Sequence, residues 1–212
     1  MSKVLPAFKG RTVVCMASGP SLTQQQVDMV KAAGLPTLVC NDSYRIAPFA
    51  DLVYFADSKW WKWHKDKPEW KTFAGEKCTI HSSAFQVDDP QVHVLKNLGH
   101  EGLSADSGGI VTGSHSGYQL VNIATLTQPA RVVLLGYDCS RVNGKKHWFG
   151  DHPDGTEPPY DAIRKRYNTM ASAAERLKIE ILNATPGSKI ESFPMVELAG
   201  ALAHPAPALV SG

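Results

Sequence analysis

A chain of 212 residues with 43% apolar content is long enough to bury one substantial core and gives little ground for a second, so one domain is expected over 1–203, with the Pro- and Ala-rich 204–212 as a loose tail. The formal charge of +2 and the lack of any long Lys/Arg run place no demand for nucleic acid on it. No apolar segment approaches the roughly 20 residues of a membrane span, and the opening MSKVLPAFKG lacks a signal-peptide core, so no span and a cytoplasmic location are expected.

Thr12 to Ala17 is a short, apolar, β-branched run that reads as a buried strand, and it breaks at Ser18-Gly19-Pro20-Ser21. Thr23 and Gln26 stand at capping-box spacing, with Leu22 and Val27 placed as a hydrophobic staple. Ser21 and Gln24 offer the same box two residues earlier, so the first helical residue stays open. Val27, Val30 and Ala33 give the helix its apolar stripe, and Gly34 followed by Pro36 ends it. A helix start of this kind offers an anion backbone N–H groups and the positive end of the helix dipole. Gly19 permits close approach, Pro20 sits in the turn, and the Ser18 and Ser21 hydroxyls add donors. The plain alternative is a tight turn without a ligand. The stretch is neither G-x-G-x-x-G nor a Walker A loop.

Thr37 to Asn41 and Leu52 to Ala56 are two further apolar runs, the second followed by Asp57. Strand, helix and strand at this spacing predict an α/β fold, a single Rossmann-like domain with a largely parallel sheet flanked by helices. In such sheets ligands gather beyond the carboxyl ends of strands, where Ser18, Asn41 and Asp57 fall. From Ser58 to Trp70, Trp60, Trp61, Trp63 and Trp70 are interleaved with lysines. This is either an amphipathic helix whose indoles cover the sheet, or a stacking wall for a base or sugar, or an interface that would make a homo-oligomer. Lys77 to His81 reads as a strand, and Val92 to Leu95 as another inside an irregular stretch from Ser82 to Asp106. Cys15, Cys40, Cys78 and Cys139 show no C-x-x-C pairing and three lie in apolar runs, so buried free thiols are expected.

Ser107 to Gly117 is a second glycine-rich stretch, with Ser114, His115 and Ser116 as cap candidates for a helix over Tyr118 to Leu126. Its start is a second place for an anion, at Ser116 and Gly117. Arg131 to Leu135 is a strand ending in Gly136-Tyr137-Asp138, which puts another carboxylate at a strand end. Asn143 to Pro159 is a loop dense in polar chemistry, long enough to carry function. Its two histidines and nearby aspartates have no recognised ligand spacing, so no metal site is read there. A general base is the functional reading, at His152 or His147, since a histidine suits proton transfer at neutral pH. Asp151 and Asp154 favour His152 by raising its basicity. Tyr160 to Leu177 is an amphipathic helix begun by Pro158-Pro159, Ile179 to Leu182 a last strand, and Phe193 to Leu202 a short helix.

Gly19-Pro20-Ser21-Leu22, Cys40-Asn41, Ser116-Gly117, Gly136-Tyr137-Asp138 and His147-Trp148-Phe149-Gly150-Asp151-His152 keep one order over Thr12 to about Leu202. In this the chain resembles the sialyltransferase-like group, which includes bacterial glycosyltransferases of the Campylobacter type, pterin diphosphokinase-like proteins and small phage proteins. The resemblance implies that Gly19, Ser21, Asn41, Ser116 and Gly117 hold the nucleotide of a CMP- or UDP-type sugar donor and that Tyr137 touches its phosphate. It also implies that His152 or His147 deprotonates the acceptor. The group's aromatic-x-x-His pattern fits Trp148 to His152 only with Asp151 inserted, and a tryptophan stands where a phosphate-binding tyrosine is expected.

The implied function is a nucleotide-sugar-dependent glycosyltransferase that needs no cofactor, with a glycan or a modified nucleobase as possible acceptor. One alternative is a Mg²⁺-dependent diphosphokinase in which Asp42, Asp57 and Asp138 hold the metal between phosphates. Another is a non-catalytic nucleotide-binding module.

Overall fold

The structure, a computed structural model, describes residues 5–81, 86–106, 108–152, 155 and 157–203. Ser107, Asp154 and the tail 204–212, each given a place above, lie outside the described residues. The fold is α/β, built on one eight-stranded sheet in which every neighbouring pair is parallel. The strands are β1 (Thr12–Met16), β2 (Thr37–Cys40), β3 (Leu52–Phe55), β4 (Glu76–Ile80), β5 (Val92–Asn97), β6 (Gly109–Ile110), β7 (Arg131–Leu135) and β8 (Glu180–Asn183). Their order is β6-β5-β4-β3-β2-β1-β7-β8. The helices are α1 (Gln24–Ala33), α2 (Ser43–Ile46), α3 (Ser58–His64), α4 (Pro68–Lys71), α5 (Ser116–Leu126), α6 (Tyr160–Arg176) and α7 (Leu198–Ala203).

The central strands are buried along their whole length because both faces are covered, which is why they read as unbroken apolar runs. Alternate residues divide between two cores. Val13, Cys15, Leu38 and Tyr54 pack with α5 and α6, while Val14, Met16, Val39 and Phe55 pack with α1, α3 and α4. The chain winds from β1 outward to β6, then returns to the far side of β1 for β7 and β8. The reversal between β1 and β7 leaves a crevice at the carboxyl ends of those two strands.

Local signals set the elements beside that crevice. Thr23 accepts from the Gln26 amide while Gln26 accepts from the Thr23 amide, so the capping box forms at the later of its two possible positions. Gly34 closes α1 in the left-handed conformation, at φ 62°. Two elements had no legible signal. α2 is one turn long and β6 two residues, too short for any periodicity. The last helix starts at Leu198 rather than near Phe193, whose ring joins the α6 core. All four cysteines are buried free thiols. Among the described residues no helix is long and apolar enough to cross a membrane.

Candidate functional site

A cavity of about 330 Å³ opens at the crevice. Its walls come from the ends of β1, β2 and β7, the start of α5, and the chain from Cys139 to the first half of α6. The strand-end residues Ser18, Asn41, Asp57 and Asp138 all line it, as do Gly19, Pro20 and Tyr137. So do Ser116 and Gly117 from α5, and His147 and His152 from the loop. Ser21 lies just outside.

The first turn is not arranged as the sequence led one to expect. The Gly19 amide donates to the Gly136 carbonyl at 2.8 Å, and the Leu22 amide to Gly19 at 3.2 Å. The Ser21 amide and hydroxyl donate to the two oxygens of Asp138, at 3.1 and 3.0 Å. The Ser18 hydroxyl reaches the Cys40 carbonyl and the Ser43 hydroxyl, each at 3.2 Å. The donors foreseen for an anion are therefore engaged by the protein, and the anion among them is the Asp138 carboxylate. Burial pushes the Asp138 carboxyl above its usual range, while the Ser21 bonds pull the other way. Gly19 is required for a packing reason: a Cβ there would stand 1.9 Å from the Asp138 Oδ2 and 2.4 Å from the Gly136 oxygen.

The rest of the wall is different. Asn41, Ser114 and Cys139, none of them glycine, hold φ near 50° and all line the cavity. Backbone strain of this kind concentrates where a site over-determines the chain. Six buried side-chain polar atoms have no hydrogen-bond partner among the described residues, and four of them, Asn41 Oδ1, His115 Nδ1, Tyr160 Oη and Tyr167 Oη, belong to cavity-lining residues. Buried polar atoms are rarely left unpaired, so their concentration here marks a surface built to meet something polar. Tyr137 is not among them. Its hydroxyl donates to the Gly117 carbonyl at 3.0 Å and steadies the start of α5, so its proton is not available to a phosphate. His115 is the cap residue of α5 without a side-chain capping bond, and the first N–H groups beyond it have no intrahelical acceptor.

The histidine loop is folded back on itself by the bridges Val142 to Lys145 and His147 to Gly150, and tied to the first turn where the Trp148 amide donates to Ser18 at 3.2 Å. The rings of His147 and His152 lie 4.7 Å apart, and His152 stacks on Trp63 at 5.8 Å. Burial, then the neighbouring His152, push His147 down to about 4, against a hydrogen bond to the Ser18 backbone and the charges of Asp42 and Asp151. Burial and then His147 push His115 down to about 4 as well. Both are neutral at pH 7. Asp151 was expected to support His152, but its Oδ1 accepts from the Lys146 amide at 3.3 Å and its Oδ2 faces the Lys146 ammonium at 3.7 Å.

The tryptophan stretch splits. Trp60, Trp61 and Trp70 are buried against the sheet, with Trp61 stacked on Phe55 and Trp60 also reaching the cavity wall, whereas Trp63 is half-buried at the cavity. No sequence pattern marks Lys146, Tyr160 and Tyr167 as site residues. Lys146 was one more charge in a polar loop, and both tyrosines lay on the apolar stripe of a helix.

The carboxylates named for Mg²⁺ do not fit the ion. Asp42 is buried, accepting from Trp60 Nε1 at 2.9 Å and Arg45 at 3.2 Å and facing His64 at 3.4 Å, outside the cavity. Asp57 caps α3 through the amides of Lys59 and Trp60, and Asp138 is held by Ser21. Among the described residues no group of three or more His, Cys, Asp or Glu side chains is placed to hold a metal. Comparison of the chain with family models, with curated proteins and with solved structures gives no match.

Proposed function

We propose that the cavity binds the nucleotide of a sugar donor and that the protein is a nucleotide-sugar-dependent glycosyltransferase of the sialyltransferase-like kind. The observation that carries the reading is the concentration of unpartnered polar atoms, two adjoining histidines and a helix start around one crevice at the sheet's reversal. In the transfer, the acceptor oxygen bonds to the anomeric carbon as the bond from that carbon to the phosphate oxygen breaks. The phosphate leaves with the electron pair and a histidine takes the hydroxyl proton. His152 is the proposed base. It stands beside Trp63 at the cavity, while His147, held down to about 4, is a poor proton acceptor. The engaged state of Asp42, Asp57 and Asp138 takes support from the diphosphokinase alternative.

Calorimetry with CMP, UDP and ATP, each with and without Mg²⁺, tests the reading. Metal-independent binding of CMP or UDP is expected; binding of ATP alone, and only with Mg²⁺, would overturn it. If a nucleotide binds but no nucleotide sugar is consumed over any acceptor tried, a binding module replaces the enzyme.

A further inference from the structure

The sequence places the ligand's phosphate over the Gly19 to Ser21 turn, but the structure fills that position with Asp138, whose carboxylate would repel a second anion. A phosphate in this cavity needs a positive charge elsewhere on the wall. Among the described residues, Lys146 is the one Lys or Arg that lines it. Its side chain is buried, with 4% exposure, and burying an ammonium costs several kcal/mol unless it is compensated. Its ammonium donates to the Gly155 carbonyl at 3.2 Å and faces the carboxylates of Asp151 at 3.7 Å and Glu157 at 3.6 Å. Glu157 is itself held by Arg141, at 3.1 Å from its Nε. The loop thus uses two carboxylates to keep one lysine inside, and that lysine shares its cavity with the unpartnered Tyr160 hydroxyl and the start of α5.

We propose that Lys146 is the residue that holds the ligand's phosphate, a role that rests on the nucleotide reading above. The α5 amides and the Tyr160 hydroxyl complete the anion's surroundings. The Asp138 turn instead forms the back wall, closed by the protein's own carboxylate. A cation of this kind acts on the phosphate alone, so its removal should separate nucleotides from nucleosides.

The test is calorimetry with CMP against cytidine and UMP against uridine, on the wild type, Lys146→Gln, Lys146→Arg and Glu157→Gln. The wild type should prefer the better-bound nucleotide over its nucleoside by at least about tenfold. Lys146→Gln should cut nucleotide affinity roughly 10- to 100-fold, the range of one charge-assisted bond, with nucleoside affinity nearly unchanged, and Lys146→Arg should restore part of the loss. Glu157→Gln removes a negative charge from the cavity and should raise nucleotide affinity, so the proposal does not depend on the folding of Lys146→Gln. A nucleotide preference that survives Lys146→Gln, or equal losses for nucleotide and nucleoside, overturns the role of Lys146 and leaves the nucleotide reading standing. A wild type that binds none of the four ligands, nor UDP, overturns both.

Discussion

At the residue scale, Gly19 illustrates how a motif can be legible while its reason is not. The sequence marks the glycine as the point where a ligand's phosphate approaches the chain, but the approaching group is Asp138, 117 residues beyond Ser21. No local pattern reports a contact at that separation. Gly19→Ala is therefore expected to destabilise the fold by about 1–3 kcal/mol through overpacking, read as a fall in melting temperature of about 2–4 °C per kcal/mol. An unchanged melting temperature would show that the turn has room to give.

The histidines supply a second prediction at the same scale. His115 and His147 are held down to about 4, chiefly by burial, and burial lowers His64 too against the opposing pull of Asp42. Their folded values lie below the unfolded one near 6.5, so the unfolded chain binds more protons in between. Stability should be flat above about pH 6.5 and fall as pH drops towards 4. Asp138, raised by burial, works in the opposite sense from its ordinary value near 3.8 upward, as one group against three. Thermal unfolding from pH 7.5 to 4.5 checks the sign, and a melting temperature that rises on acidification would contradict the buried neutral state. For catalysis, His152→Ala should lower turnover roughly 10²- to 10⁴-fold at little cost in donor affinity, measured as kcat against KM. The reverse pattern would make His152 a binding residue.

At the scale of elements, α3 and α4 divide their tryptophans by a rule that composition cannot express. Interleaved Trp and Lys predict an amphipathic helix or a stacking wall, and the structure buries three of the indoles against the sheet and leaves Trp63 half-buried at the cavity. Trp60, Trp61 and Trp70 enclose Phe55 and Tyr44, while Trp63, on the next turn face, meets His152. Trp70→Ala should cost about 3–5 kcal/mol of stability, as for a large core side chain. Trp63→Ala should change stability far less and weaken the cavity's ligand instead. Equal effects on stability would place Trp63 in the core. The strands were legible because burial on both faces removes polar residues from them. Asn183, buried in β8, is one of the few polar strand residues kept inside, and it helps hold the 183–190 turn by donating to the Ser188 hydroxyl and the Ile190 carbonyl.

At the scale of the molecule, strand-end polarity carried more information than any single motif. Ser18, Asn41, Asp57 and Asp138 meet because parallel strands point their carboxyl ends one way, a consequence of topology that the alternation of runs and helices already implied. The far wall was not legible. Tyr160 and Tyr167 reach the cavity only because the first half of α6 forms part of its wall, and Lys146 only because the loop before α6 folds back on itself. Neither follows from periodicity.

The proposed function stands or falls with nucleotide binding in this crevice. Its most direct test is an amide NMR titration of the labelled protein with CMP, then UDP. The largest shifts are expected at Asn41, Ser116, Gly117, Lys146, His147 and His152, with the outer strands β5 and β6 unmoved. Saturating shifts that cluster away from the ends of β1, β2 and β7, or no shift at millimolar nucleotide, would contradict it.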